Sequence, residues 1–281
     1  MSKASTGVPF VKSIFHPSDF SRASELAFVH ALAIALARKT KLVIMHAGLG
    51  EVEDWARFPP VRRTLARWGM LAPDSPRSAV LEKLAVRVAK VTRRGDPVQA
   101  SVAEIEKQRP DLVVLATRGR HGLPFWLKPS VAQAIARRTS AMTLFVPRDS
   151  RSLVSGNGEV RLRRILLPID HRPDAREAVI RAVRAAEAFG DGPVEITILH
   201  VNGGPPPRVD RPESRTCLWK ELRREGDVVA ALLEAAQDTD LVVMATEGRH
   251  GFVDAMRGSV TEQVVRAAPC PVLAVPARRG R

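Results

Sequence analysis

Two stretches of this chain are near copies of each other, and they limit its fold more than any other feature. The loop Gly119-Arg-His-Gly122 recurs as Gly248-Arg-His-Gly251. Each loop follows an apolar run that opens on aspartate, Asp111 to Thr117 and Asp240 to Thr246. Each is followed by a serine, Ser130 or Ser259, then a helix-like segment and a second apolar run ending at Pro147 or Pro276. The offset between the copies is constant over these positions, so this part was duplicated without an internal gap. A β-branched run, a glycine loop and a capped helix in succession place the loop at the carboxyl edge of a parallel sheet. Open α/β sheets bind their ligands at that edge.

The duplication divides the 281 residues into two domains, 1–149 and 161–281, joined by a linker over 150–160. The linker is rich in Ser, Gly and Asn, so exposure and mobility are expected of it. Apolar residues make up 45% of the chain, enough for two ordinary cores, and with no Tyr those cores must be built from Leu, Val, Ile and Ala. Heavy use of Arg and Ala points to a GC-rich bacterial source. The first residues lack the basic start and apolar stretch of a signal peptide, and no run approaches the length of a membrane span. Two cysteines, Cys217 and Cys270, are too few for a disulfide scaffold and lack metal-ligand spacing. A reduced cytoplasm is the expected compartment.

Net charge is +14, and most of the excess falls in the first 150 residues, with 24 Lys and Arg against 12 Asp and Glu. Such a surface attracts anions. The basic residues are scattered and no nucleic-acid motif with interleaved aromatics is present, so a solvated basic face is preferred to a nucleic-acid interface.

In chain order, the first repeat opens with a strand ending near Pro17, followed by Asp19 and a helix capped by Ser21. A second strand runs from Lys41 to Ala47. Residues 51–85 hold one or two helices broken at Pro59-Pro60 and Pro73, and a third strand spans Ala85 to Thr92. A helix over 97–108 precedes the duplicated segment. The second repeat restarts at Arg164 to Asp170, with Asp174 and Glu177 spaced as a capping box and a second strand from Glu195 to Val201. Residues 202–215, rich in Pro, Gly and Arg, cannot form the helices that the first repeat has there. Thr216 to Leu222 supplies the third strand. Five strands alternating with helices in each repeat predict doubly wound α/β domains with right-handed crossovers.

Taken together, these features resemble the universal stress protein family in its tandem two-domain form. The residues carrying the resemblance are Asp19 and Asp170, the Gly-Asp before the third crossover helix, the Asp-Leu-Val-Val strands, the Gly-Arg-His-Gly loops and the closing Ala268 to Pro276. The resemblance implies two flavodoxin-like domains of the adenine nucleotide alpha hydrolase-like type. Each is a five-stranded parallel sheet of order 3-2-1-4-5 with helices on both faces. It also implies a stress-response binding or regulatory module rather than a dedicated enzyme. Some members bind ATP between strands 1 and 4, with an aspartate near the adenosine and glycines and a serine at the phosphates. Carried over, that site is Asp170, Gly248, Gly251, Gly258 and Ser259 in the second repeat, and Asp19, Gly119, Gly122 and Ser130 in the first. ATP or AMP would be the ligand.

The sequence departs from the ATP-binding pattern in the phosphate loop. Only six residues, Phe252 to Arg257, separate the second glycine from Gly258, a shorter spacer than ATP-binding members carry. A phosphate cradle depends on aiming several N–H groups at one anion, so its geometry follows loop length. In the first copy Pro129 replaces the later glycine and removes a donor. The resemblance therefore leads to degenerate nucleotide clefts, the second repeat being the better candidate. The alternative is an ATP-binding switch with slow ATPase activity at that site.

Each candidate also has a purely structural role to weigh. Ser259 and Ser130 stand three residues before Glu262 and Gln133, which is capping-box spacing. Asp19 and Asp170 can serve an Asx turn as readily as a ligand. His16, His46 and His121, with Asp19 nearby, would supply enough ligands for a metal. Yet His46 and His200 stand in apolar strands, where a core histidine is the commoner outcome, so no metal is assigned. No nucleophile elbow, Walker loop or acid pair is present, and no catalytic residue is named. The expected partners are an unidentified regulatory protein or a small anionic ligand. The apolar fifth strands, Met142 to Val146 and Val272 to Val275, are predicted to pair across a pseudo-twofold axis, making an internal dimer of the repeats.

Overall fold

The structure is a computed structural model that describes residues 10–48, 55–117, 131–247 and 259–277. The first repeat runs β1 (Ser13–Pro17), α1 (Arg22–Arg38), β2 (Lys41–Gly48), α2 (Val61–Arg67), α3 (Ala79–Leu84), β3 (Arg87–Arg94), α4 (Pro97–Gln108), β4 (Leu112–Thr117), α5 (Val131–Arg138) and β5 (Met142–Pro147). The second runs β6 (Arg164–Pro168), α6 (Arg176–Phe189), β7 (Val194–Val201), β8 (Cys217–Arg224), α7 (Val228–Ala235), β9 (Leu241–Thr246), α8 (Val260–Ala267) and β10 (Val272–Pro276).

The described strands form one ten-stranded sheet in the order β3-β2-β1-β4-β5-β10-β9-β6-β7-β8. Each half is parallel and has the predicted 3-2-1-4-5 order. The halves join where β5 and β10 pair antiparallel, Val272 opposite Phe145 and Ala274 opposite Thr143. This is the edge pairing expected from the apolar fifth strands. Neither of those strands is an edge in the folded chain, which explains why both can be apolar along their whole length.

Both faces of the sheet are covered, so inner strands are buried on alternate sides. Ile14, Leu112, Val114 and Leu144 face a core shared by α1 and α6. Phe15, Val113, Leu115 and Phe145 face the opposite core, under the helices that include α5 and α8. Central strands with no polar face need continuous apolar sequence, as these have. The repeats hold together on both sides. Phe10 meets Phe189 edge-on at 5.8 Å between centroids on one face. On the other, Arg137 of α5 reaches Glu262 of α8, a buried carboxylate also bound by Arg266.

Asp111 and Asp240 act as clamps on neighbouring strands. Asp111 Oδ2 accepts N–H bonds from Lys12 and Ser13 at 2.9 and 3.0 Å. Asp240 Oδ2 accepts from Arg163 and Arg164, both at 2.8 Å. Each carboxylate thus fixes the stagger of a central strand pair where backbone N–H groups would otherwise be unsatisfied.

The linker is more ordered than its composition predicts. Leu153 is buried, and its N–H donates to His30 Nε2 at 3.2 Å. Val154 and Val160 form a bridge. The cause lies in α1: His30 donates from Nδ1 to the Leu26 carbonyl, leaving the other ring nitrogen buried and needing a donor. The linker backbone supplies it. The helix start after Asp174 also differs from expectation. Helix α6 begins at Arg176 without a side-chain cap. Asp174 accepts from the Arg176 N–H and pairs with its guanidinium, while Glu177 is taken by Arg181. A capping box needs both side chains on the backbone, and here two arginines hold them. The third strand begins at Arg87, not Ala85, because Ala85 takes a left-handed conformation that ends α3.

Candidate functional site

The switch point of each half falls between β1 and β4 and between β6 and β9, and the carboxyl ends of β2 and β7 lie next to it. In both repeats a histidine closing the second strand ties down the loop after the first. His46 donates from Nδ1 to the Ser18 carbonyl at 2.7 Å, and His200 donates to the Ile169 carbonyl at 3.1 Å. A bond to a carbonyl requires the proton on Nδ1, so in the neutral ring Nε2 carries the lone pair. The two histidines thus share one structural task, to hold the loops carrying Asp19 and Asp170.

What surrounds that lone pair differs between the repeats. In the first, Phe20 follows Asp19 and stacks on His46, with centroids 4.0 Å apart and planes 17° from parallel. Phe58, fully buried, meets Phe20 edge-on at 5.4 Å, and Trp55 stacks on Phe58. Arg57 lies over the outer face of Phe20. Phe20 holds a left-handed backbone at φ 63°, with its N–H on Ser18 Oγ. A bulky residue adopts that region at a cost of about 1–3 kcal/mol, which the aromatic contacts offset. The chain's own rings therefore cover His46 at this edge.

In the second repeat, His171 takes the position of Phe20. It stands perpendicular to His200, with centroids 6.3 Å apart, and it is exposed. His200 is buried, and its Nε2 has no hydrogen-bond partner among the described residues. A buried acceptor of this kind is costly unless a donor arrives, so the site is chemically suited to a ligand hydroxyl or amino group. Asp170 is exposed at the same edge and accepts from the His171 N–H at 2.7 Å.

The remaining sequence candidates divide clearly. Asp19 Oδ1 accepts from the Ser21 N–H at 3.0 Å, an Asx turn leading into α1. Ser259 Oγ accepts from the Glu262 N–H at 3.2 Å and caps α8. His16 is tied into the core instead. It is fully buried, donates from Nδ1 to the Val114 carbonyl at 3.0 Å, and is pushed down to about 4 by burial. Among the described residues no group of three or more His, Cys, Asp or Glu is placed to hold a metal ion. Cys270 is buried and its thiol is pushed up to about 12 by burial, so it is inert. Gly119, Gly122, Ser130, Gly248, Gly251, Gly258 and His121 lie outside the described residues.

Sequence reading missed the aromatic closure of the first repeat. Part of the signal was available, since Phe20 and His171 occupy matched positions one residue after matched aspartates. Phe58 carries no such signal, because only the folding of the segment between β2 and β3 brings it over β1.

Comparison with known proteins fixes the family. Residues 11–147 and 218–276 match the sequence profile of the Universal stress protein family. The chain belongs to the universal stress protein family. A universal stress protein of Mycobacterium tuberculosis is 24% identical over 289 aligned residues, covering 91% of this chain and 94% of its own. One from Synechocystis is 26% identical over 144 residues, covering 43% of this chain and 90% of its own. Among solved structures, a universal stress protein from Archaeoglobus fulgidus covers 95% of this chain and 98% of its own, with a TM-score of 0.64 at 17% identity. That likeness establishes a shared fold for this tandem universal stress protein. Among the described residues no helix is long and apolar enough to cross a membrane.

Proposed function

We propose that this universal stress protein is a single-site regulatory module of the cytoplasmic stress response. Its second repeat takes one adenine nucleotide, ATP or AMP, and its first repeat serves as scaffold. The observation that carries this reading is the contrast at one matched position. Phe20 closes the first switch point on His46, whereas His171 leaves the second open beside the unpartnered Nε2 of His200. That lone pair suits a ribose hydroxyl or an exocyclic amine, and Asp170 offers a second acceptor at the same edge. The two domains are units 1–149 and 161–281, tied together by the 150–160 segment.

Binding rather than turnover is the proposed activity, since among the described residues no nucleophile or general base is placed at this edge beyond Asp170 and the histidine pair. The regulated partner would be a protein that distinguishes the liganded from the empty second repeat.

Isothermal titration of the purified chain with ATP and with AMP tests the reading. One equivalent should bind; Asp170→Ala should weaken it about tenfold, and Asp19→Ala should leave it unchanged. Two equivalents, loss of binding in Asp19→Ala, or no binding of either nucleotide would overturn it. Phosphate release measured in the same samples would separate an ATPase from a binder.

A further inference from the structure

The segment between β2 and β3 is where the repeats differ most. In the first repeat it holds α2 and α3; between β7 and β8 no helix occurs among the described residues. It stands against β3, the end strand of the whole sheet. Between helices and strand lies an open cavity of about 1170 Å³.

The walls and the rim of this cavity have different chemistry. Trp55, Phe58, Val61, Leu81 and Val88 supply an apolar interior. Trp55 and Leu81 remain 51% and 49% exposed, Trp55 with one face on Phe58. Cations stand around them: Arg62, Arg63, Arg77, Arg87 and Lys90. Arg62 donates to the Ser75 carbonyl and Lys90 lies over the Phe58 ring at 5.5 Å. Among the described residues none of the five is in an ion pair, and Asp74 and Glu82 of the same segment do not line the cavity.

We propose that this cavity is a second ligand site, for a soluble single-chain amphiphilic anion: an alkyl or aryl body carrying one carboxylate. The apolar walls call for a hydrocarbon body, and five cations with no carboxylate among the described lining residues call for a negative head. A nucleic acid answers the charge but leaves the exposed Leu81 uncovered. The half-buried Lys90 ammonium supports the assignment. Burial lowers its pKa first, and the neighbouring Arg77 and Arg62 lower it further. A carboxylate head relieves that crowding. The site is independent of the nucleotide reading, since it uses no residue of the second repeat.

Calorimetric titration with sodium dodecanoate, below its micellar concentration, tests the proposal on the full chain. One equivalent should bind, while dodecyltrimethylammonium, of equal chain length and opposite charge, should not. Lys90→Gln should weaken dodecanoate about tenfold. Ala66→Trp, which fills the cavity from α2, should abolish binding. Asp170→Ala should leave it unchanged, separating this site from the nucleotide site. Circular dichroism checks folding, and if Ala66→Trp fails to fold, the exposed double change Arg77→Gln with Arg87→Gln replaces it, again with at least tenfold weakening. No heat with dodecanoate, equal affinity for the cationic amphiphile, or unchanged affinity in Lys90→Gln would overturn the proposal. So would binding confined to a single-stranded RNA or to phosphatidylglycerol vesicles.

Discussion

The two repeats share a strand order, a pair of aspartate clamps and a histidine that pins the loop after the first strand, yet they have diverged in what surrounds that histidine. In the first repeat, Phe20, Phe58 and Trp55 stack over His46, and two helices extend the domain beyond β2. In the second, the corresponding histidine pair is open and the helices are missing. Duplication first produces two equivalent clefts. Once the domains are joined by a common sheet and core, one cleft can be filled for stability while the other stays open. The cost of an unsatisfied group such as His200 Nε2 is then borne by the fold as a whole.

The largest test of this division concerns the seam. Phe145 is buried opposite Val272 at the only antiparallel pairing among the described strands. Phe145→Ala should lower unfolding stability by about 3–5 kcal/mol. If the repeats are one cooperative unit, urea unfolding followed by tryptophan fluorescence and by circular dichroism will show one coincident transition. Two separated transitions would mean that the halves fold independently and can diverge without mutual support.

Acid sharpens the comparison. His16 and His30, both in the first repeat, are held down to about 4 from the ordinary 6.5 by burial. Because the folded value is the lower one, the unfolded chain takes up protons first as pH falls. Stability is complete above 6.5 and is lost progressively down to about 4, by about 3 kcal/mol for each histidine. The second repeat carries Leu167 where the first has His16. His16→Leu should therefore remove about half of the acid loss between pH 6.5 and 4, read from urea midpoints across that range. An unchanged acid slope would show that these histidines do not govern it.

An exchange of side chains between the clefts should act on binding. His171→Phe should place a ring against His200, as Phe20 lies on His46, and weaken adenine-nucleotide affinity about tenfold or more. The reverse change, Phe20→His, should leave affinity at the second repeat as it was. Equal effects from the two changes in titration calorimetry would remove the distinction between a closed and an open repeat.

Ser259 gives the smallest effect. Its hydroxyl caps α8, so Ser259→Ala should cost about 1 kcal/mol in unfolding stability. Nucleotide affinity should change less than twofold. A large loss of affinity without loss of stability would return Ser259 from the helix to the ligand.

The amino-acid pattern by itself determined the tandem α/β architecture. Period, turn residues and the repeated Asp-Leu-Val-Val strands are local signals, and each was sufficient to place its element. It also determined the pairing of β5 with β10, because an apolar strand at a sheet edge demands a partner. Ser21 and Ser259 could be read as caps for the same reason: a cap acts within three residues. Only the tertiary structure decided which cleft is closed. Phe58 comes from a segment far from Asp19 in sequence, and its ring reaches Phe20 through the folding of that segment over the sheet. Only the tertiary structure ordered the linker, since His30 is buried with one nitrogen left to satisfy, and no local pattern in Ser, Gly and Asn announces that need. Composition and period record what each residue prefers. Which buried nitrogen finds a partner, and which is left waiting for one, depends on contacts between distant parts of the chain.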